Sequence, residues 1–93
     1  YKEVFIAYTY IIGGNNTMKS INIKLDTIDK VKEFVNKINT FDGDFDLVSA
    51  RYVIDAKSIM GIFSLDISAP LRLDIHDDAE YEAVKSSMAD FEI

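Results

Sequence analysis

From Met18 onward the sequence predicts an α+β open-faced sandwich, on three observations. Two segments alternate apolar and polar residues, Ile21-Ile23-Leu25 and Leu71-Leu73-Ile75, as strands with one buried face do. Two others repeat apolar residues every three or four positions, as helices with one buried stripe do. Their order along the chain is β-α-β-β-α-β-α, in which strands sharing an apolar face are covered by helices.

The first strand spans 20–25, with Asn22 and Lys24 on its polar side. Asp26 or Thr27 then supplies a cap, and Ile28, Val31, Phe34, Val35 and Ile38 give residues 28–39 an apolar helical face. Asp42-Gly43-Asp44 breaks that helix. Leu47-Val48 and Tyr52-Val53-Ile54 form a hairpin around Ser49-Ala50-Arg51. After Pro70, which cannot continue a helix, comes the strand 71–76. Asp77 followed by Glu80 resembles a capping box, and Tyr81, Val84, Met88 and Phe91 mark the stripe of a terminal helix.

Residues 1–17 differ in character. Val4 to Ile12 is an unbroken run of aromatic, β-branched and small residues, and Gly13-Gly14-Asn15-Asn16 reads as a turn. The segment reads equally as an extra strand, through which two copies could associate by residues 4–12, or as a translated upstream region ahead of Met18. The domain division is therefore 1–17, an N-terminal extension, and 18–93, the folded domain.

Composition narrows the function classes. The 93 residues make one domain, which at this length buries roughly 60–65% of its unfolded surface. A net charge of −6, with only ten scattered Lys and Arg residues, argues against nucleic-acid binding. There are no cysteines, hence no thiolate nucleophile and no thiolate metal site, and the single histidine, His76, excludes a His-rich metal centre. No apolar run reaches the ~20 residues that span a bilayer. A cytoplasmic protein without metal or cofactor is expected.

The segment "KSIMGIFSLD", residues 57–66, admits three local readings: a strand, a buried helix, or a short helix with an exposed apolar side. With the element order around it, this stretch resembles the HPr family, the phosphocarriers of the bacterial sugar phosphotransferase system. The match in element order covers residues 18–92, and the match in sequence is confined to Lys57–Leu65. The resemblance implies a four-stranded antiparallel sheet with three helices on one face. It also implies that residues 57–65 are the family's regulatory serine segment. Ser58 would open a short helix and be phosphorylated by an HPr serine kinase. Ile59, Met60 and Phe63 would form the exposed patch that docks phosphotransferase or regulatory proteins, while Ile62 and Leu65 face the core. Asp66 stands where the family commonly has glycine.

In that family a histidine at the start of the first helix carries the phosphoryl group, with an arginine two residues later and then a proline. Here the segment reads "LDTIDKVKEF", and Asp29, Val31 and Lys32 fall at about those positions. A carboxylate about 5 Å from a phosphoryl charge repels it by roughly 1–3 kcal/mol. The helix dipole returns only about 0.3–1 kcal/mol. The resemblance therefore implies a non-carrier regulatory or adaptor relative with no catalytic residue. A carrier using Asp29 as a non-standard acceptor, or an unphosphorylated interaction module, are the alternatives. By the family's topology His76 lies at the far end of the sheet from the first helix start, as a solvent-facing strand-end residue.

Overall fold

The computed structural model describes residues 19–93; the strand-like run 4–12 and the turn 13–16 lie outside them. Strand β1 is Lys19–Ile23, helix α1 Ile28–Ile38, strand β2 Phe45–Val48 and strand β3 Val53–Asp55. Helix α2 is Ile59–Phe63, strand β4 Leu71–Ile75 and helix α3 Tyr81–Ser87, the last preceded by a 3₁₀ turn, Asp78–Glu80. The strands form one antiparallel sheet in the order β1-β4-β2-β3.

Register explains why one face is dry. Ile21 lies opposite Leu73, Leu73 opposite Leu47, and Leu47 opposite Ile54, so a single apolar row crosses all four strands. Ile23 opposite Leu71 and Phe45 opposite Ile75 flank that row. Val31, Phe34 and Ile38 of α1, Ile62 of α2, and Val84 and Met88 at α3 complete the same buried cluster. Side chains alternate along a strand. The neighbouring row, Ser20, Asp74, Asp46 and Asp55, therefore lies on the face away from α1, α2 and α3.

Five details depart from the sequence-based expectation. Strand β1 ends at Ile23 rather than 25, where its pairing with Leu71 stops. Strand β2 begins at Phe45, earlier than Leu47, because Phe45 pairs with Ile75 and extends the ladder past the Asp-Gly-Asp break. Strand β3 is shifted one residue along, to 53–55, since Tyr52 closes the turn by donating its amide to Ser49 Oγ (3.0 Å). The terminal helix ends at Ser87. Met88 and Phe91 still reach the core, but from a chain that leaves the helix to meet β1: Lys24 N donates to Phe91 O (2.9 Å) and Ile23 bridges Glu92. The capping box is not reciprocal. Asp77 Oδ1 accepts from Ala79 N (2.9 Å), whereas Glu80 reaches across to accept from Gly43 N (3.0 Å). A Cβ at Gly43 would fall on that Glu80 oxygen, so the close approach favours glycine.

Candidate functional site

Helix α2 is the short exposed helix of the three local readings. Ser58 is its N-cap, with extended backbone, and its Oγ accepts from Gly61 N at 3.1 Å while its carbonyl accepts from Ile62 N at 3.0 Å. A serine cap of this kind satisfies one of the amides that a helix start leaves without an internal partner. Gly61 keeps that turn close to the sheet: a Cβ there would lie 3.2 Å from both Ile54 Cδ1 and Ser58 Oγ. The first turn of α2 holds no acidic residue. Lys57, immediately before the cap, donates its Nζ to Phe41 O (2.6 Å) and lies 5.5 Å from the Phe45 ring centroid, which anchors the entry to α2.

The side chains of α2 divide between core and solvent. Ile62 is fully buried and Leu65 nearly so, as expected of the two inward residues. Met60 is 76% exposed and Phe63 42% exposed, which for apolar side chains of this size leaves uncovered area that a partner could bury. Ile59 differs: it is half-buried and packs against the core cluster, so it forms the inner edge of the patch rather than its centre.

The start of α1 lies beside this helix. Asp26 donates its amide to Ile67 O (2.9 Å), which ties the chain entering α1 to the turn that follows α2. Asp26 itself has a positive φ of 42°, a conformation that aspartate tolerates better than most residues. Thr27, not Asp26, is the cap: its Oγ1 accepts from Lys30 N at 3.1 Å. Asp29 sits in the first helical turn and is exposed, and Ile28 beside it is 59% exposed. Lys30 Nζ lies 3.4 Å from Asp26 Oδ1 in an exposed pair. Asp66, past the end of α2, accepts from the hydroxyl (2.5 Å) and amide (3.1 Å) of Ser68. Those bonds, the hydroxyl's first, hold its carboxyl below the usual range.

His76 is at the other end of the sheet. Lys19 opposes Ile75 and Ile23 opposes Leu71, so β4 ends beside the beginning of β1, whereas α1 follows the end of β1. The ring is not merely a solvent-facing one. Its Nε2 lies 2.7 Å from Oδ2 of the buried Asp46, a pair that no local pattern reveals because Asp46 is thirty residues away. Among the described residues no group of His, Asp and Glu could hold a metal ion, and no helix is long and apolar enough to cross a membrane.

Comparison with known proteins places this architecture. A phosphocarrier protein HPr from Bacillus anthracis superposes with a TM-score of 0.68 at 24% identity, over 82% of this chain and 99% of that one. The protein HPr-C-His from Thermoanaerobacter tengcongensis superposes with a TM-score of 0.65 at 26% identity, over 81% of this chain and 89% of that one. No family model and no curated protein matches the sequence. The fold is that of HPr, a four-stranded antiparallel sheet with three helices.

Proposed function

We propose that this chain is an HPr-like protein of the phosphoenolpyruvate-dependent sugar phosphotransferase system that does not carry phosphate on histidine. It acts as a regulatory or adaptor protein through the helix that Ser58 opens. The observation that carries this reading is the pairing, on one five-residue helix, of a hydroxyl cap with the exposed side chains of Met60 and Phe63. A phosphoryl group on Ser58 adds about −1.5 to −2 charge beside that patch, at a helix start where negative charge is tolerated. The helix persists, and the apolar surface seen by a partner gains negative charge at its edge. Met60 suits a docking surface because its flexible, polarisable side chain adapts to the opposing shape.

The carrier role is disfavoured by the start of α1. Thr27 and Asp29 stand there, Asp26 adds a second carboxylate, and the sole histidine is at the opposite end of the sheet. The partners fitting this reading are other phosphotransferase or regulatory proteins, with an HPr serine kinase as the modifying enzyme.

The test is the intact mass of the protein after incubation with ATP and an HPr serine kinase, beside a Ser58→Ala control. One added phosphate in the wild type and none in the variant supports the switch. An unmodified wild type removes it.

A further inference from the structure

The face of the sheet away from α1, α2 and α3 carries a row of carboxylates that the proposed role of α2 does not use. Asp74 of β4 lies directly opposite Asp46 of β2, and Asp46 directly opposite Asp55 of β3. Residues in such register have their Cβ atoms about 4.5–5.5 Å apart, and like charges so placed repel. Asp46 is 1% exposed and Asp74 2%, so water screens the repulsion between them poorly. Asp55 is exposed, and its Oδ1 accepts from the Lys57 amide (2.9 Å).

Arg72 and His76 stand at the two ends of the buried pair. Arg72, two residues before Asp74 on the same strand and face, binds it through both carboxylate oxygens, Nε to Oδ1 at 2.7 Å and Nη2 to Oδ2 at 3.1 Å. His76 Nε2 meets Asp46 Oδ2 at 2.7 Å, and the His76 amide donates to Asp44 O (3.2 Å), which fixes the ring's backbone beside β2. The charged and titratable groups around the pair include Arg72 and His76 at its ends and Asp55 on the next strand.

We propose that on mild acidification Asp46 and Asp74 come to share one proton, making the β2–β4 contact an acid-sensitive latch flanked by Arg72 and His76. On mild acidification the pair takes up a proton from solvent, which removes the like-charge contact and leaves a hydrogen bond donor between the strands. On stronger acidification a second proton neutralises the remaining carboxylate, and His76 no longer faces a charged Asp46. Burial, the largest cause, together with Asp46 already pushes the Asp74 carboxyl above the usual range against the opposing pull of Arg72 and His76. Two groups coupled in this way titrate in steps that belong to the pair rather than to either residue.

The experiment is a pH titration of the aspartate carboxyl carbons by NMR in the wild-type chain, with Asp46→Asn and His76→Gln variants. In the wild type, the Asp46 and Asp74 carbons are expected to move together through two steps, the upper one above the ordinary carboxylate range. Asp46→Asn should lower the Asp74 midpoint, since it removes the neighbouring charge. His76→Gln should move the upper step, since it removes the ring that bonds Asp46 Oδ2. Independent single-step curves for Asp46 and Asp74 in the wild type overturn the proposal by themselves, whether or not a variant folds. An Asp74 midpoint unmoved by Asp46→Asn, or an upper step unmoved by His76→Gln, does so as well.

Discussion

The starts of α1 and α2 are built alike and surrounded differently. Thr27 and Ser58 each cap a helix with a hydroxyl accepting from the amide three residues on, both at 3.1 Å. Yet α1 opens among Asp26 and Asp29, whereas α2 has no acid in its first turn and exposes Met60 and Phe63. The cap motif itself therefore says where a helix begins and little about what it does. The neighbours decide whether a new negative charge is repelled or accommodated. Asp26 and Asp29 oppose a phosphoryl group at the first start, while at the second Asp55, three residues before the cap, accepts from the Lys57 amide.

Substitutions can separate anchoring from display at α2. Ile62→Ala removes its fully buried anchor and is expected to cost about 2–5 kcal/mol in urea unfolding, by lost burial and a cavity under the helix. Met60→Ala, two residues away and 76% exposed, should stay within about 0.5 kcal/mol of wild type while weakening any partner that uses the patch. Equal costs at the two positions would mean that α2 does not present Met60 as described.

The caps come next in size. Thr27→Ala and Ser58→Ala should each lower stability by about 1 kcal/mol, the usual worth of a hydroxyl N-cap. Ser58→Asp should retain most of that, since aspartate caps a helix as well as serine does. Chemical denaturation of the three variants side by side checks the equivalence, and a cost for one cap several times that of the other would break it.

The smallest effect is one of pH. The Asp74 carboxyl is raised mainly by burial, so the folded state holds its proton more tightly than the unfolded chain. Its contribution to stability is then fully present below the ordinary carboxylate range and is lost as pH rises from there through the raised value. The difference in unfolding free energy between wild type and Asp74→Asn should follow that sign across that window. A difference independent of pH there would contradict the raised carboxyl.

Much of this fold is legible in the sequence because its signals are local. Ile21, Ile23, Leu71, Leu73 and Ile75 alternate, and Val31, Phe34 and Ile38 recur at helical spacing, so β1, β4 and α1 can be read without knowing their partners. Phe45 and Asp46 carry no such local signal, since they follow Asp42-Gly43-Asp44 and are held in β2 by Ile75 and Asp74 across the sheet. The terminal stripe overstates the length of the helix, because Met88 and Phe91 reach the core after the helix has ended, with Phe91 edge-on to Phe34 at 6.0 Å. At the candidate site, Ser58, Met60 and Phe63 were legible through the Lys57–Leu65 resemblance. The inward turn of Ile59, the choice of Thr27 over Asp26 as cap, and the contact of His76 with Asp46 depend on tertiary placement, and no local spacing encodes them.

The most direct measurement is to supply phosphate by both routes and locate it. The chain is incubated with phosphoenolpyruvate and phosphotransferase components, and separately with ATP and an HPr serine kinase, and the product is mapped by mass spectrometry with an acid-stability check. The expected result is acid-stable phosphate on Ser58 from ATP and none from phosphoenolpyruvate. Acid-labile or hydroxylamine-sensitive phosphate on Asp29 from phosphoenolpyruvate would contradict a non-carrier role and make the start of α1, not that of α2, the working end of the molecule.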